Sequence, residues 1–164
     1  MLPKQKNEPP ALSDADYLSF LSSVELVGLG LKSSNSSINR EIYFDLVDQK
    51  AKPVRRFSEL YESTEIGGNF FEAEGRYEVS IADGDAIGLR IECVFEVHLH
   101  APKPINPQMV QRFAKSDLRF MLLPYARQFV TGVTGQMQIP PIVLPMATAR
   151  GKARLAKPKK AVKA

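Results

Sequence analysis

The chain has 164 residues, 44% of them hydrophobic, with 22 basic and 18 acidic side chains and a net charge of +4. That length holds one core and excludes two independent ones, and no run approaches the ~18 uninterrupted apolar residues of a membrane span. The single cysteine, Cys93, excludes an internal disulfide and a cysteine-rich metal site and suits a reducing cytoplasm.

The charge is unevenly spread. From Arg150 onward the chain carries Arg150, Lys152, Arg154, Lys157, Lys159, Lys160 and Lys163, seven cations and no acid. The remaining 15 basic and 18 acidic residues leave residues 1–149 at −3. An acidic body with a basic tail over 147–164 is expected. The tail has few apolar anchors and is expected to be disordered.

Residues 1–12 hold three prolines and no apolar signal-peptide core, and are expected to form a loose arm. A domain is expected over 13–146. Ser13 before Asp14 and Asp16 predicts a helix over 13–22, anchored by Tyr17, Leu18, Phe20 and Leu21. A strand follows over Val24–Leu31, where Gly28 and Gly30 read as a bend or bulge. They make no dinucleotide fingerprint, because the third glycine and the following helix are absent. Ser33–Ser37 is expected to be a loop, Glu41–Val47 has strand composition, and 49–53 breaks it. Phe57, Leu60 and Tyr61 then fall in a loose, interrupted stretch.

A hairpin is the clearest element. Phe71, Ala73, Gly75, Tyr77, Val79 and Ile81 alternate with Phe70, Glu72, Glu74, Arg76, Glu78 and Ser80. After the Asp83-Gly-Asp turn, Ile87, Leu89, Ile91, Cys93, Phe95, Val97 and Leu99 repeat the period, a strand of about 43 Å. One face is apolar and the other is wet, as in an antiparallel sheet covered on one side. Gln108–Ala114 predicts a short helix, and Ser116 and Asp117 start the main one. Helix, three or four strands, helix describes an α+β domain with helices on one sheet face.

No catalytic constellation is present: the sequence lacks Gly-x-Ser-x-Gly and any phosphate-cradling glycine loop. His98 and His100 share the wet side of the last strand without further ligands nearby, so no metal and no cofactor are expected. The same face offers Glu72, Glu74, Glu78, Glu92 and Glu96 against Arg76 and Arg90. Such charges serve solubility and block edge pairing.

The main helix is over-hydrophobic. Leu118, Leu122, Tyr125, Ala126, Phe129 and Val133 form a central stripe, Met121 flanks one side, and Leu123 and Val130 widen the other. The arc reaches roughly 200°, where one core needs a little over about 100°. The helix therefore has two apolar neighbours. Pro124 should kink it. Phe120, Leu123, Arg127 and Val130 are expected at an oligomer interface, with Arg127 structural. Beyond Gly135, Ile139, Ile142 and Leu144 lie among Pro140, Pro141 and Pro145, which hold the run extended and its side chains displayed. With Phe44, Phe57, Leu60, Tyr61 and Phe70, they are expected to line a site for client peptides.

Leu123-Pro-Tyr-Ala-Arg127 inside a helix, followed by Pro140-Pro141 and Leu144-Pro145, resembles the SecB protein-export chaperone family, and more closely its divergent SecB-like branch, some members of which accompany toxin–antitoxin systems. The resemblance covers 85–146 in detail and 13–84 in architecture. It implies a strongly twisted, four-stranded antiparallel sheet under a long kinked helix, with the second strand and a long crossover in the middle region. It also implies an ATP-independent holdase, not an enzyme, that assembles as a dimer of dimers. The implied partners are unfolded polypeptides and a translocation motor or an antitoxin. In the exporter family a similar acidic sheet face docks the motor, and a zinc-binding tail engages it. Here no Cys, His or acid follows Met146, which removes a zinc contact and argues against the export role while leaving chaperoning intact. The rival reading is a nucleic-acid- or ribosome-associated protein acting through the basic tail.

Overall fold

The computed structural model describes residues 12–48 and 54–146. The arm expected over 1–12 (Leu12 apart), the break at 49–53 and the tail at 147–164 lie outside the described residues. The elements run α1 (Asp14–Ser23), β1 (Glu25–Ile38), α2 (Arg40–Asp48), β2 (Val54–Gly67), β3 (Phe70–Asp83), β4 (Ala86–His100), α3 (Pro107–Ser116) and α4 (Leu118–Gln136). The strands form one antiparallel sheet in the order β1-β4-β3-β2. The α+β architecture is the expected one.

Ser13 caps α1 by accepting from the Asp16 N–H, and Tyr17 and Phe20 bury their rings. Leu18, expected as an anchor, is 64% exposed, because it lies one residue round the wheel from that pair. The Tyr17 hydroxyl donates to Asp117 at 2.5 Å, while Arg112 stacks 4.1 Å from the Tyr17 ring and pairs with Asp14 at 2.8 Å. Asp117 precedes α4 but gives its carboxylate to Tyr17 and makes no side-chain cap. α1 is thereby tied to the α3–α4 junction.

The middle of the chain departs most from expectation. Ser33–Ser37 is strand: β1 runs on to Ile38, opposite Leu89, with irregularities at Leu26/Gly28 and Leu31/Ser33. Pairing to β4 satisfies that backbone whatever its small side chains prefer. Residues 41–47 are helix, as part of α2. Asn39 accepts from the Ile42 N–H at 3.2 Å, and Tyr43 and Leu46, three apart, bury together. An apolar run this short suits either period, and the glycine beneath it favours the helix. Phe57, Leu60 and Tyr61 belong to a regular 14-residue strand, β2, and not to a loose stretch. Because β1 and β2 lie on opposite edges, the connection through α2 must cross the sheet.

β3 and β4 alternate as expected, with Phe71, Ile81, Leu89, Ile91 and Leu99 essentially fully buried. Each such side chain stabilises by roughly 1.5–3 kcal/mol. Ile87 is the exception; it sits by the hairpin tip beyond a register shift at Ile81/Ala82 and stays exposed. α4 is one continuous helix through Pro124, whose missing N–H falls on an exposed face where water can reach the Phe120 carbonyl.

α4 turns its Leu123 flank toward the sheet, and Tyr125, expected in the central stripe, faces out. Leu118, Leu122, Leu123, Ala126, Val130 and Thr134 are buried, while Tyr125 is exposed. The helix ends in a Schellman arrangement: Ile139 N–H reaches the Thr134 carbonyl at 3.2 Å and Gln138 N–H the Gly135 carbonyl at 3.0 Å, with Gln138 at φ 56°. The chain then turns back along α4. The Ile142 N–H donates to Thr134 Oγ1, and Thr131 Oγ1 donates to the Ile142 carbonyl, both at 3.3 Å.

Two predictions follow from this packing. A β-carbon at Gly88 would lie 2.8 Å from Tyr43 Cα and 3.0 Å from its nitrogen, both backbone atoms. Gly88→Ala should therefore push α2 off the sheet and cost about 1–3 kcal/mol in urea denaturation. At Gly132 nothing lies within 4 Å, so Gly132→Ala should stabilise by about 0.5–1 kcal/mol.

Burial of a thiol and a phenol adds a dependence on pH. Burial pushes the Cys93 thiol up from 9.0 to about 11. Burial first, and the Asp117 hydrogen bond second, push the Tyr17 phenol up from 10.0 to about 12. Between these values the unfolded chain has released protons that the folded chain retains, so stability falls as pH rises. The urea midpoint should hold to about pH 8 and drop from about pH 9 upward, with a shallower drop in Cys93→Ala. A midpoint that stays level to about pH 11 would contradict these assignments.

Candidate functional site

The sheet has a helix-covered face and an open face, and register decides which side chains reach each. Phe57 lies opposite Val79 and Tyr61 opposite Gly75, which places both, half-buried, on the covered face. Leu60 lies opposite Arg76, so it points to the open face. Phe70 is also on the open face, stacked 4.8 Å from the His100 ring. Phe44 is exposed on α2. The eight residues expected to form one client site therefore divide between two opposite surfaces.

Two of the eight are not available at all. Ile139 is 5% and Leu144 2% exposed, because Thr131 and Thr134 fasten the segment between them onto α4. Ile142 is half-buried, and Val143 and Met146, absent from the expected set, are the exposed members of the run. Strict alternation through Ile142, Val143 and Leu144 is the signal that could have separated them.

The expected oligomer set divides in the same way. Leu123 is 1% and Val130 0% exposed within the single chain, so both belong to its own core. Phe120 is 48% exposed. Arg127 is half-buried and has no ion pair among the described residues. The second apolar neighbour inferred for α4 is in part this chain's own returning segment. The large apolar residues left exposed on α4 are Phe120, Pro124 and Tyr125.

A partly buried charge contact ties β2 to α4. Arg119 Nε approaches Glu59 Oε1 at 2.8 Å, and Tyr61 donates to Glu59 Oε2 at 3.1 Å. The Tyr77 ring meets Tyr61 edge-on at 5.9 Å. Burial is the largest cause that raises both phenols, so neither is a base near neutral pH.

Apart from Leu60 and Phe70, the open face is dominated by charge. Lys32 joins Glu74 and Glu96, Arg90 joins Glu78 and Glu92 at 3.2 and 2.7 Å, and Arg76 joins Glu74 at 3.5 Å. Lys32 enters this network from the irregularity at Leu31/Ser33, a contribution that alternation in β3 and β4 alone did not reveal. His98 rests between Glu72 at 3.0 Å and Glu96 at 3.6 Å, and His100 lies 3.7 Å from Glu25. Among the described residues no three His, Cys, Asp or Glu side chains converge as metal ligands, and no helix is long and apolar enough to cross a membrane.

No family model matches this sequence, and no curated protein does. Solved structures do. The SecB-like chaperone Rv1957 of Mycobacterium tuberculosis, in complex with a ChAD peptide from the Rv1956 HigA1 antitoxin, superposes with a TM-score of 0.65. The match covers 80% of this chain and 96% of that one at 13% identity. The fold is SecB-like. A protein of unknown function from Streptococcus agalactiae gives a TM-score of 0.46 at 13% identity, over 75% of this chain and 97% of that one.

Within the SecB-like fold the split between core and surface can be tested directly. Ile139→Ser and Leu144→Ser should each cost about 2–5 kcal/mol of stability, as large-to-small core changes do. Phe44→Ser and Val143→Ser should stay within about 0.5 kcal/mol, as surface changes do. They should also reduce binding of a hydrophobic dye. Equal losses of stability across the four would mean that Phe44 and Val143 are core.

Proposed function

We propose that the protein is an ATP-independent holdase that keeps unfolded polypeptides from aggregating, acting as a dimer of dimers in the cytoplasm. The observation that carries the reading is a SecB-like fold whose helix side leaves large apolar side chains uncovered: Phe44 and Val47 on α2, Phe120 and Tyr125 on α4, and Val143 and Met146 beyond it. Exposed apolar groups of this size mark interaction surfaces.

Two different uses are assigned to that surface. α2 and the returning segment, with the half-buried Phe57, Tyr61 and Ile142 beside them, would hold extended client segments by shallow apolar contact. The outer face of α4, with Phe120, Pro124 and Tyr125, would pack against a second copy. Several weak sites on one assembly then add through effective concentration. The solved relative holds a peptide from an antitoxin, and an antitoxin segment is accordingly one class of client for this chain.

Light scattering together with an aggregation assay tests the proposal. The wild-type chain should scatter as four copies and suppress aggregation of an unfolded client. Phe120→Glu with Tyr125→Glu should dissociate it with folding intact, whereas Leu123→Glu should unfold it. Phe44→Ser and Val47→Ser should each weaken client binding by up to about 1.5–3 kcal/mol, the value of one buried side chain, while leaving assembly unchanged. A folded monomer without effect on the client would defeat the proposal.

A further inference from the structure

One buried polar group on the covered face has no task in the resting fold. The Tyr77 side chain is 2% exposed, and its hydroxyl makes no hydrogen bond among the described residues. Buried hydroxyls are almost always partnered, because burying one bare forfeits its bonds to water. Phenylalanine would fill the same space without that cost.

The neighbouring groups show what the hydroxyl is held for. Glu59 stands directly opposite Tyr77 across the β2–β3 ladder, and Tyr61 directly opposite Gly75, on the same face. Both oxygens of Glu59 are engaged, Oε1 with Arg119 and Oε2 with the Tyr61 phenol. Two phenols thus compete for one carboxylate, and only Tyr61 holds it. Burial is the main cause that raises the Tyr77 phenol, and the Glu59 charge raises it further, so the carboxylate is felt there. The Tyr77 hydroxyl lies over the bare backbone of Gly75, 3.0 Å from where a β-carbon would sit, with its ring edge-on to that of Tyr61.

Tyr61 is the phenol with room to leave. It is half-buried on an edge strand and lines a concavity of about 370 Å³ between β2 and α3, together with Ser63, Thr64, Gln111 and Lys115. Hydroxyl, amide and ammonium donors of this kind suit the backbone carbonyls of an extended chain. Its departure alone would leave Glu59 Oε2 short of a donor, which costs stability unless another donor steps in. Resting on the holdase reading, we propose that Tyr61 turns from Glu59 into this concavity and donates to a client backbone carbonyl, while the Tyr77 hydroxyl takes its place on Glu59. Tyr61 is then a client contact and Tyr77 its positioning residue. The fold keeps its bond to Glu59, and the bond to the client is a net gain.

Binding of reduced, carboxymethylated α-lactalbumin, a permanently unfolded probe, tests this on the full chain by fluorescence anisotropy. Tyr77→Phe should leave the urea midpoint level or slightly higher and weaken probe affinity about three- to tenfold, the worth of one hydrogen bond. In a Tyr61→Phe background Tyr77 already holds Glu59, so adding Tyr77→Phe should change affinity by less than about twofold. The wild-type chain gives a second readout that needs no variant to fold. Labelled with 3-fluorotyrosine it has five fluorine signals, and the probe should shift those of Tyr61 and Tyr77 together, although Tyr77 is buried. Equal weakening by Tyr77→Phe in both backgrounds, or a Tyr77 signal that stays put while the probe binds, would overturn the exchange and leave the holdase reading standing. A wild-type chain that binds no probe would overturn both.

Discussion

The structure depends on the seat of α4 on the sheet at Gly75. A β-carbon there would lie 2.9 Å from Leu122 Cδ1, 3.0 Å from the Tyr77 hydroxyl and 3.2 Å from Tyr61 Cε1. With hydrogen in that place, Leu122 settles onto the strand beside the two rings and α4 comes close enough to bury Leu118, Leu122, Leu123, Ala126 and Val130. Close-packed interiors have a few acceptable arrangements and not a continuum, so this one contact sets both the height and the rotation of the helix. Glu59 and Arg119 reinforce it from β2.

The rotation of α4 has consequences outside the core. With Leu123 and Val130 turned inward, Phe120, Pro124 and Tyr125 form the outer face. Thr131 and Thr134 are then placed to catch the returning chain at Ile142, which draws Ile139 and Leu144 under cover and leaves Val143 and Met146 outside. The exposed apolar surface is thus a by-product of how the helix sits. Small changes at Gly75 or Leu122 would alter that surface without touching a residue on it.

The two sheet faces divide labour by chemistry. The covered face is apolar and fixes the domain; the open face is a lattice of carboxylates, four described cations (Lys32, Arg56, Arg76 and Arg90) and two histidines that makes few apolar demands. At 13% identity the solved SecB-like chaperone keeps the same layers, as expected when a fold needs only the pattern and volume of its core and not particular side chains. That tolerance also explains why no family model matches while the backbone does.

The sequence by itself determined the elements whose periodicity has a single solution. Phe70–Leu99 could only be a two-stranded, one-side-wet hairpin, because a slip of one residue would put five glutamates into the core. Ser13 with two aspartates behind it could only start a helix. The Leu-Pro-Tyr-Ala-Arg helix with its following prolines pointed to the right architecture. Tertiary structure alone decided the rest. Ser33–Ser37 is strand because β4 offers it a ladder, and 41–47 is helix because Tyr43 needs the bare backbone at Gly88. The ~200° arc of α4 had no unique centre, so only the hollow at Gly75 could choose between Tyr125 and Leu123. The fate of Ile139 and Leu144 rested on two threonine hydroxyls and a left-handed glutamine, long-range and conformational facts that no local pattern carries.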